Sequence, residues 1–174
     1  MGWRDGERTR AKPANTRRSA VLGDSYVEAM QVELDSTFVA IAERELNRGG
    51  TPSEVMNFGR SGMGTAEERL LLESDVLPCE PDVVVLVFTP HNDVTDASPV
   101  SATTLLRPFY SVNERDSLVL DVSFNRSRGY RVRELMNPLK RIHYKESDFD
   151  ATRLQSNAPM MAVAVGLRIG KVGE

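Results

Sequence analysis

The sequence predicts an α/β domain built on a layered, mostly parallel sheet. Three observations carry that expectation. Between residues 19 and 88, strand-like and helix-like segments alternate in the order strand, helix, strand, helix, strand, which implies crossover connections. The third strand, Asp82-Val83-Val84-Val85-Leu86-Val87-Phe88, is apolar without alternation, as in a central strand covered on both faces. A chain of 174 residues, 40% of them apolar, suits one domain with a core of its own.

Residues 1–18 set Arg4, Arg8, Arg10, Lys12, Arg17 and Arg18 against Asp5 and Glu7, and read as a basic, flexible leader ahead of a single domain over 19–174. Ala20 to Leu22 is the first buried strand, ending at Gly23-Asp24. From Ser25 onward, Val27, Met30, Leu34, Phe38 and Ile41 recur at spacings of three and four, predicting one long amphipathic helix that stops at Gly49-Gly50. Glu54 to Phe58 is the second strand. The glycine-rich loop Asn57-Phe58-Gly59-Arg60-Ser61-Gly62-Met63-Gly64 follows it. Thr65 with Glu68 fits a capping box for a helix to about Val76, closed off by Pro78 and Pro81. Beyond Asp96 the pattern predicts a hairpin from Phe109–Val112 and Ser117–Val122. A helix from Tyr130 to His143, broken at Pro138, and a strand over Ala158–Val165 complete the reading.

Composition excludes several function classes. A net charge of −3 gives no global signal for nucleic acid, and the basic leader lacks the interleaved aromatics of a stacking surface. Cys79 is the one cysteine, so no intrachain disulfide framework is possible; between Pro78 and Pro81 it reads as an incidental loop thiol. With two histidines, His91 and His143, no metal site and no metal cofactor are expected. No apolar run approaches the length a bilayer requires, and the N-terminus lacks a signal-peptide core. The cellular address stays open: cytoplasmic by default, extracytoplasmic if the N-terminus is incomplete. Oligomeric state is equally open.

In such sheets ligands bind at the C-terminal ends of the strands. Those ends carry Gly23-Asp24-Ser25, the loop around Gly62, and Thr89-Pro90-His91-Asn92-Asp93. Ser25 can serve as a nucleophile, with its own N–H, the N–H of Gly62 and the carboxamide of Asn92 as oxyanion donors. Each residue also has a plainer reading. Asp24 and Ser25 would simply cap a helix, Asp93 would brace its loop, and His91 would be a polar loop side chain.

Together these residues resemble the SGNH, or GDSL, hydrolase family. Gly23-Asp24-Ser25 matches its first block, Asn57 to Gly62 its second, and Pro90-His91-Asn92-Asp93 its third, with proline where the family has glycine. The likeness is clearest over residues 19–96. Arg107-Pro108-Phe109-Tyr110 and Gly2-Trp3-Arg4-Asp5 are similar to segments of one bacterial branch. The resemblance implies a three-layer α/β/α sandwich of flavodoxin-like type. It also implies a serine esterase, lipase or carbohydrate deacetylase that needs no cofactor and acts on a small-molecule or carbohydrate ester through an acyl-enzyme on Ser25. The family's fourth block, an Asp-x-x-His that supplies the general base, has no match here: Lys140 stands three residues before His143, and Phe88 three before His91. The chain therefore reads as truncated or frame-altered, with the C-terminal part of the fold incomplete. An inactive remnant that keeps a ligand cleft, and a related O-acyltransferase, are the alternatives.

Overall fold

The computed structural model describes residues 3–132, 135–136 and 163–168. It is a mixed α/β fold whose centre is a parallel sheet of three strands: β1 (Arg17–Gly23), β2 (Ser53–Gly59) and β3 (Val83–Phe88). A fourth strand, β6 (Val163–Arg168), pairs antiparallel with β3, giving the order β2-β1-β3-β6. The chain thus leaves β1 to one side for β2 and crosses to the other side for β3. That reversal opens a crevice beyond the C-terminal ends of β1 and β3. The expected hairpin forms from β4 (Phe109–Val112) and β5 (Leu118–Asp121), its turn held by Asn113 Oδ1, which accepts from the N–H groups of Arg115 and Ser117.

Alternation along the strands divides the core in two. Ala20, Leu22, Met56, Phe58 and Val84 point to one face and pack with Leu71, Val76 and Cys79 from the crossover between β2 and β3. Val21, Val55 and Val87 point to the other and pack with Val27 and Val39 from the crossover between β1 and β2. Helical segments therefore cover both faces of the sheet.

The first crossover departs from its sequence pattern. Instead of one long helix there are α1 (Ser25–Glu28), a 3₁₀ turn at Leu34–Ser36 and α2 (Phe38–Arg48). Helix α1 ends at Ala29, which takes a left-handed conformation with φ 51°. The expected apolar stripe is split accordingly: Val27 is buried, while Met30 is 56% and Phe38 46% exposed. Thr37 starts α2 afresh by accepting from the Ala40 N–H. The carbonyls left open at the end of α1 are taken by Arg4, whose guanidinium donates to the oxygens of Glu28, Ala29 and Val32.

The basic arm, expected to be flexible, is thus docked. Trp3 packs edge-on against Phe58, with ring centroids 5.6 Å apart. Asp5 accepts from the Asn57 N–H and pairs with Arg8, which also pairs with Glu43 at 2.8 Å. Arg18 is fully buried. It donates to the Glu54 carboxylate and to the carbonyls of Thr9, Arg10, Ala11 and Cys79, so a charge that would be costly alone is fully paired. Side chains also close the edge of the sheet, one of them, Asp5, from the arm. Alternate amides of β2, at Ser53, Val55, Asn57 and Gly59, donate to Asn47, Glu43, Asp5 and Asn57 side chains, so none is left to pair with another strand.

The second crossover corrects two smaller expectations. Helix α3 (Thr65–Leu71) is capped one residue earlier than the sequence suggests: Glu67 reaches back to the Gly64 N–H at 3.1 Å, and Glu68 turns inward. The chain continues through a wide turn at Leu72–Val76 and a 3₁₀ turn at Leu77–Cys79, which makes Cys79 a buried core residue instead of a loop thiol. Of the expected helix from Tyr130 to His143, helical backbone is seen at 128–132 and 135–136. The remainder, with Pro138 and His143, lies outside the described residues. So do 158–162 of the last strand, whose described part runs through Gly166 to Arg168.

Gly59 offers a sharp test of this packing. A Cβ there would lie 2.3 Å from the Glu28 nitrogen and 2.6 Å from the Val27 Cβ, so backbone would have to move. Gly59→Ala is expected to cost about 2–3 kcal/mol and to lower Tm by roughly 5–10 °C. Gly6→Ala, with open space around the added carbon, should melt within about 2 °C of wild type. Equal melting temperatures for the two variants would refute the close approach of α1 to β2.

Candidate active site

Three loops leave the C-terminal ends of β2, β1 and β3, and hydrogen bonds tie them together. The first is the start of α1. Asp24 caps it, accepting from the Tyr26 N–H at 2.9 Å through one carboxylate oxygen. Its other oxygen accepts from the Asn92 carboxamide at 2.7 Å. Asn92 begins α4 (Asn92–Thr95), just past β3, so this bond spans the crevice between β1 and β3. On the other side, the Arg60 N–H donates to the Gly23 carbonyl at 3.1 Å, and Ser61 donates to the Glu28 carboxylate through both its N–H and its hydroxyl. The segment Gly23 to Glu28, with half-buried Ser25 inside it, is therefore bound to the second loop at both ends and to the third at Asp24.

Donors remain in this arrangement. The Ser25 hydroxyl and N–H, the Gly62 N–H and the second hydrogen of the Asn92 amide find no acceptor among the described residues. Gly62 sits at φ 81°, a left-handed conformation natural to glycine, and open space surrounds the position a Cβ would take. Its carbonyl points away, accepting from Arg107 at 2.6 Å. His91 is exposed at the start of α4 and is not hydrogen-bonded through its ring to Ser25 or to any other described residue. Asp93 closes its own loop, accepting from the Thr89 N–H at 2.6 Å. The described residues hold no cluster of three or more His, Cys, Asp or Glu side chains suited to a metal ion, and none of their helices is long and apolar enough to cross a membrane.

The sequence pattern gives no site role to two groups beneath the loops. Glu68 is only 2% exposed, and neither of its carboxylate oxygens has a partner among the described residues; Asp93, 1% exposed, keeps one oxygen unpaired. Burial pushes the Glu68 carboxyl up to about 8, and the nearby charges of Asp93, Asp24 and Glu67 push the same way. Burial also raises Asp93, against the Thr89 hydrogen bond. Glu68 therefore holds its proton more tightly than an exposed glutamate. Arg107 is the second missed residue. It is 4% exposed and donates to Glu67 at 3.1 Å, to Asp96 and to the Gly62 carbonyl.

No family model matches this chain, and no curated protein or solved structure matches it.

The Glu68 environment predicts a pH dependence. In the folded chain the group binds its proton more tightly than at its ordinary value of 4.5. Its favourable contribution is complete below that value and is lost as pH rises to about 8 and beyond. Denaturant unfolding from pH 5 to pH 9 should show Glu68→Gln gaining stability relative to wild type as pH increases. A difference between the two that stays flat across that range would remove the buried neutral acid.

Proposed function

We propose that the chain is a serine ester hydrolase of the SGNH type, on a three-layer α/β/α sandwich of which the described sheet is the central layer. The observation that carries this reading is the Asn92–Asp24 hydrogen bond beside an unpartnered Ser25 hydroxyl. It links the first and third motifs across the crevice and orients a carboxamide whose second hydrogen stays available. With the N–H groups of Ser25 and Gly62, that makes three donors free for an oxyanion, from three separate loops.

The chemistry follows from this inventory. Ser25 Oγ attacks the ester carbonyl carbon and gives up its proton to solvent hydroxide, which becomes water. The carbonyl oxygen becomes an oxyanion facing the three donors. The bond from carbon to the alcohol oxygen then breaks, and the alcohol leaves carrying a proton. Water attacks the resulting acyl-serine, the acid is released and the hydroxyl is restored. Small acyl esters, such as an acetylated sugar, are the substrate class. No metal or organic cofactor enters these steps.

One specific observation favours a second reading, a folded remnant that keeps the cleft and has lost the catalyst. No Asp-x-x-His occurs in the sequence, and no imidazole is bonded to Ser25 among the described residues. A serine without its base loses several orders of magnitude in rate.

A fluorophosphonate probe separates the readings. The hydrolase reading expects wild-type chain to be modified at Ser25, located by mass spectrometry, and Ser25→Ala to be inert. Removing one oxyanion donor by Asn92→Ala should slow modification about 100-fold. If hydroxide takes the place of an imidazole, the rate should climb about tenfold per pH unit without a plateau near neutrality. Folded wild-type chain left unmodified at pH 9 would establish the remnant.

A further inference from the structure

We infer that Arg107 is the positioning residue of this pocket, the side chain that holds the Gly62 loop in the shape its oxyanion donor requires. The inference rests on the reading of Gly62 given above and concerns a residue to which neither the three matched blocks nor the reaction chemistry gives a role.

The geometry is that of a planar fork with each prong used. Nη2 donates to the Gly62 carbonyl at 2.6 Å, Nε to Glu67 at 3.1 Å, and Nη1 to Asp96. The first bond fixes which way the Gly62–Met63 peptide faces. A glycine has no side chain to lock its own dihedrals, so an external contact on its carbonyl is the natural means of holding φ at 81°. The second reaches the other end of the same loop, because Glu67 also accepts from the Gly64 N–H. The third reaches the neighbouring loop. Asp96 closes α4, the helix that Asn92 opens, and its second oxygen accepts from the N–H and hydroxyl of Thr103. One buried guanidinium therefore ties the loop of Gly62 to the helix of Asn92, two of the three donor sources.

The charge arrangement supports a fixed placement. Burial works against the guanidinium's charge, yet hydrogen bonding and charge from Asp96 and Glu67 outweigh it and raise its pKa above the ordinary value. A lysine at this position would keep the charge but could not meet three acceptors spread in one plane. Arg107→Lys is thus the informative change: it conserves charge and removes the fork.

The test uses the full chain and two readouts. Hydrogen exchange at 60–64 should accelerate about tenfold in Arg107→Lys, with β1 to β3 unchanged. Fluorophosphonate labelling of Ser25 should slow about tenfold or more in its bond-forming rate constant, with initial probe binding and the fraction finally labelled preserved. A purely structural role would instead lower the labelled fraction. Because Glu67 holds both Arg107 and Gly64, Glu67→Ala should loosen the same loop, and it decides the matter if Arg107→Lys fails to fold. Unchanged exchange at 60–64 in a folded variant overturns the inference. Wild-type chain that is never labelled sinks the hydrolase reading and the oxyanion half of this inference with it. The exchange result then still stands for or against Arg107 as the loop's anchor.

Discussion

Helix α1 lies against the ends of β1 and β2 so closely that neither Gly23 nor Gly59 has room for a Cβ. At Gly23 the carbon would meet the Val27 side chain, and at Gly59 the helix backbone itself. Much of the site depends on this contact. It places the backbone of Ser25 to Glu28 within hydrogen-bond reach of β2 and the loop beyond it. Asn57 donates to the Val27 carbonyl, Arg60 to the Gly23 carbonyl, and Ser61 to the Glu28 carboxylate. A helix of four residues has little stability of its own. Here its N-terminus is capped by Asp24, its C-terminus by Arg4, and its flank by the second loop, so its geometry is set by its surroundings.

The same closeness explains why the arm is part of the domain. Ending the helix at Ala29 leaves carbonyls that must be satisfied, and Arg4 satisfies them. Once Arg4 is anchored there, Trp3 is brought onto Phe58, Asp5 accepts from one outer amide of β2, and Arg8 pairs with Glu43, which accepts from another. One short stretch thereby caps the helix and helps to seal the sheet edge, and the basic composition that suggests a solvated leader reflects the carbonyls and carboxylates it must pair with.

The strands were legible because each is a short apolar run bounded by turn residues, and their order alone implied the placement of the three loops. Asn57, Gly62 and Asn92 stood out because they fall in the segments that resemble the family's blocks. The first crossover was not. Val27, Met30, Leu34, Phe38 and Ile41 keep helical spacing, but periodicity carries no information about a left-handed residue at Ala29, whose carbonyl is bonded by a side chain 25 positions away. Glu68 was misread for a related reason: Thr65 with Glu68 has the capping-box pattern, yet the helix starts after Gly64, where Glu67 alone reaches back and Glu68 turns inward. Arg107 opens the Arg-Pro-aromatic segment noted in the sequence, but that pattern gives it no role. Its partners lie up to 45 residues away, and its role exists only once the loops are assembled.

Electrostatics then connects the buried acids to the proposed chemistry. On the proposed reading, negative charge develops on an ester oxygen above a floor that already holds Asp24 and Asp93. A third carboxylate at Glu68 would oppose that charge through poorly screened surroundings. It would also oppose Asp24, whose carboxylate is needed to orient Asn92. Keeping Glu68 protonated removes both conflicts at once, because a neutral acid fills the same volume without adding to the field. Burial favours the protonated form, and the charges around it push the same way. Arg107 supplies the opposite sign nearby, yet its charge is already committed to Glu67 and Asp96. The favourable term for the oxyanion must therefore come from oriented N–H dipoles, not from a free cation. In such a site the position of a peptide group matters more than the charge of any side chain, and the fixing of Gly62 becomes the central demand on the fold.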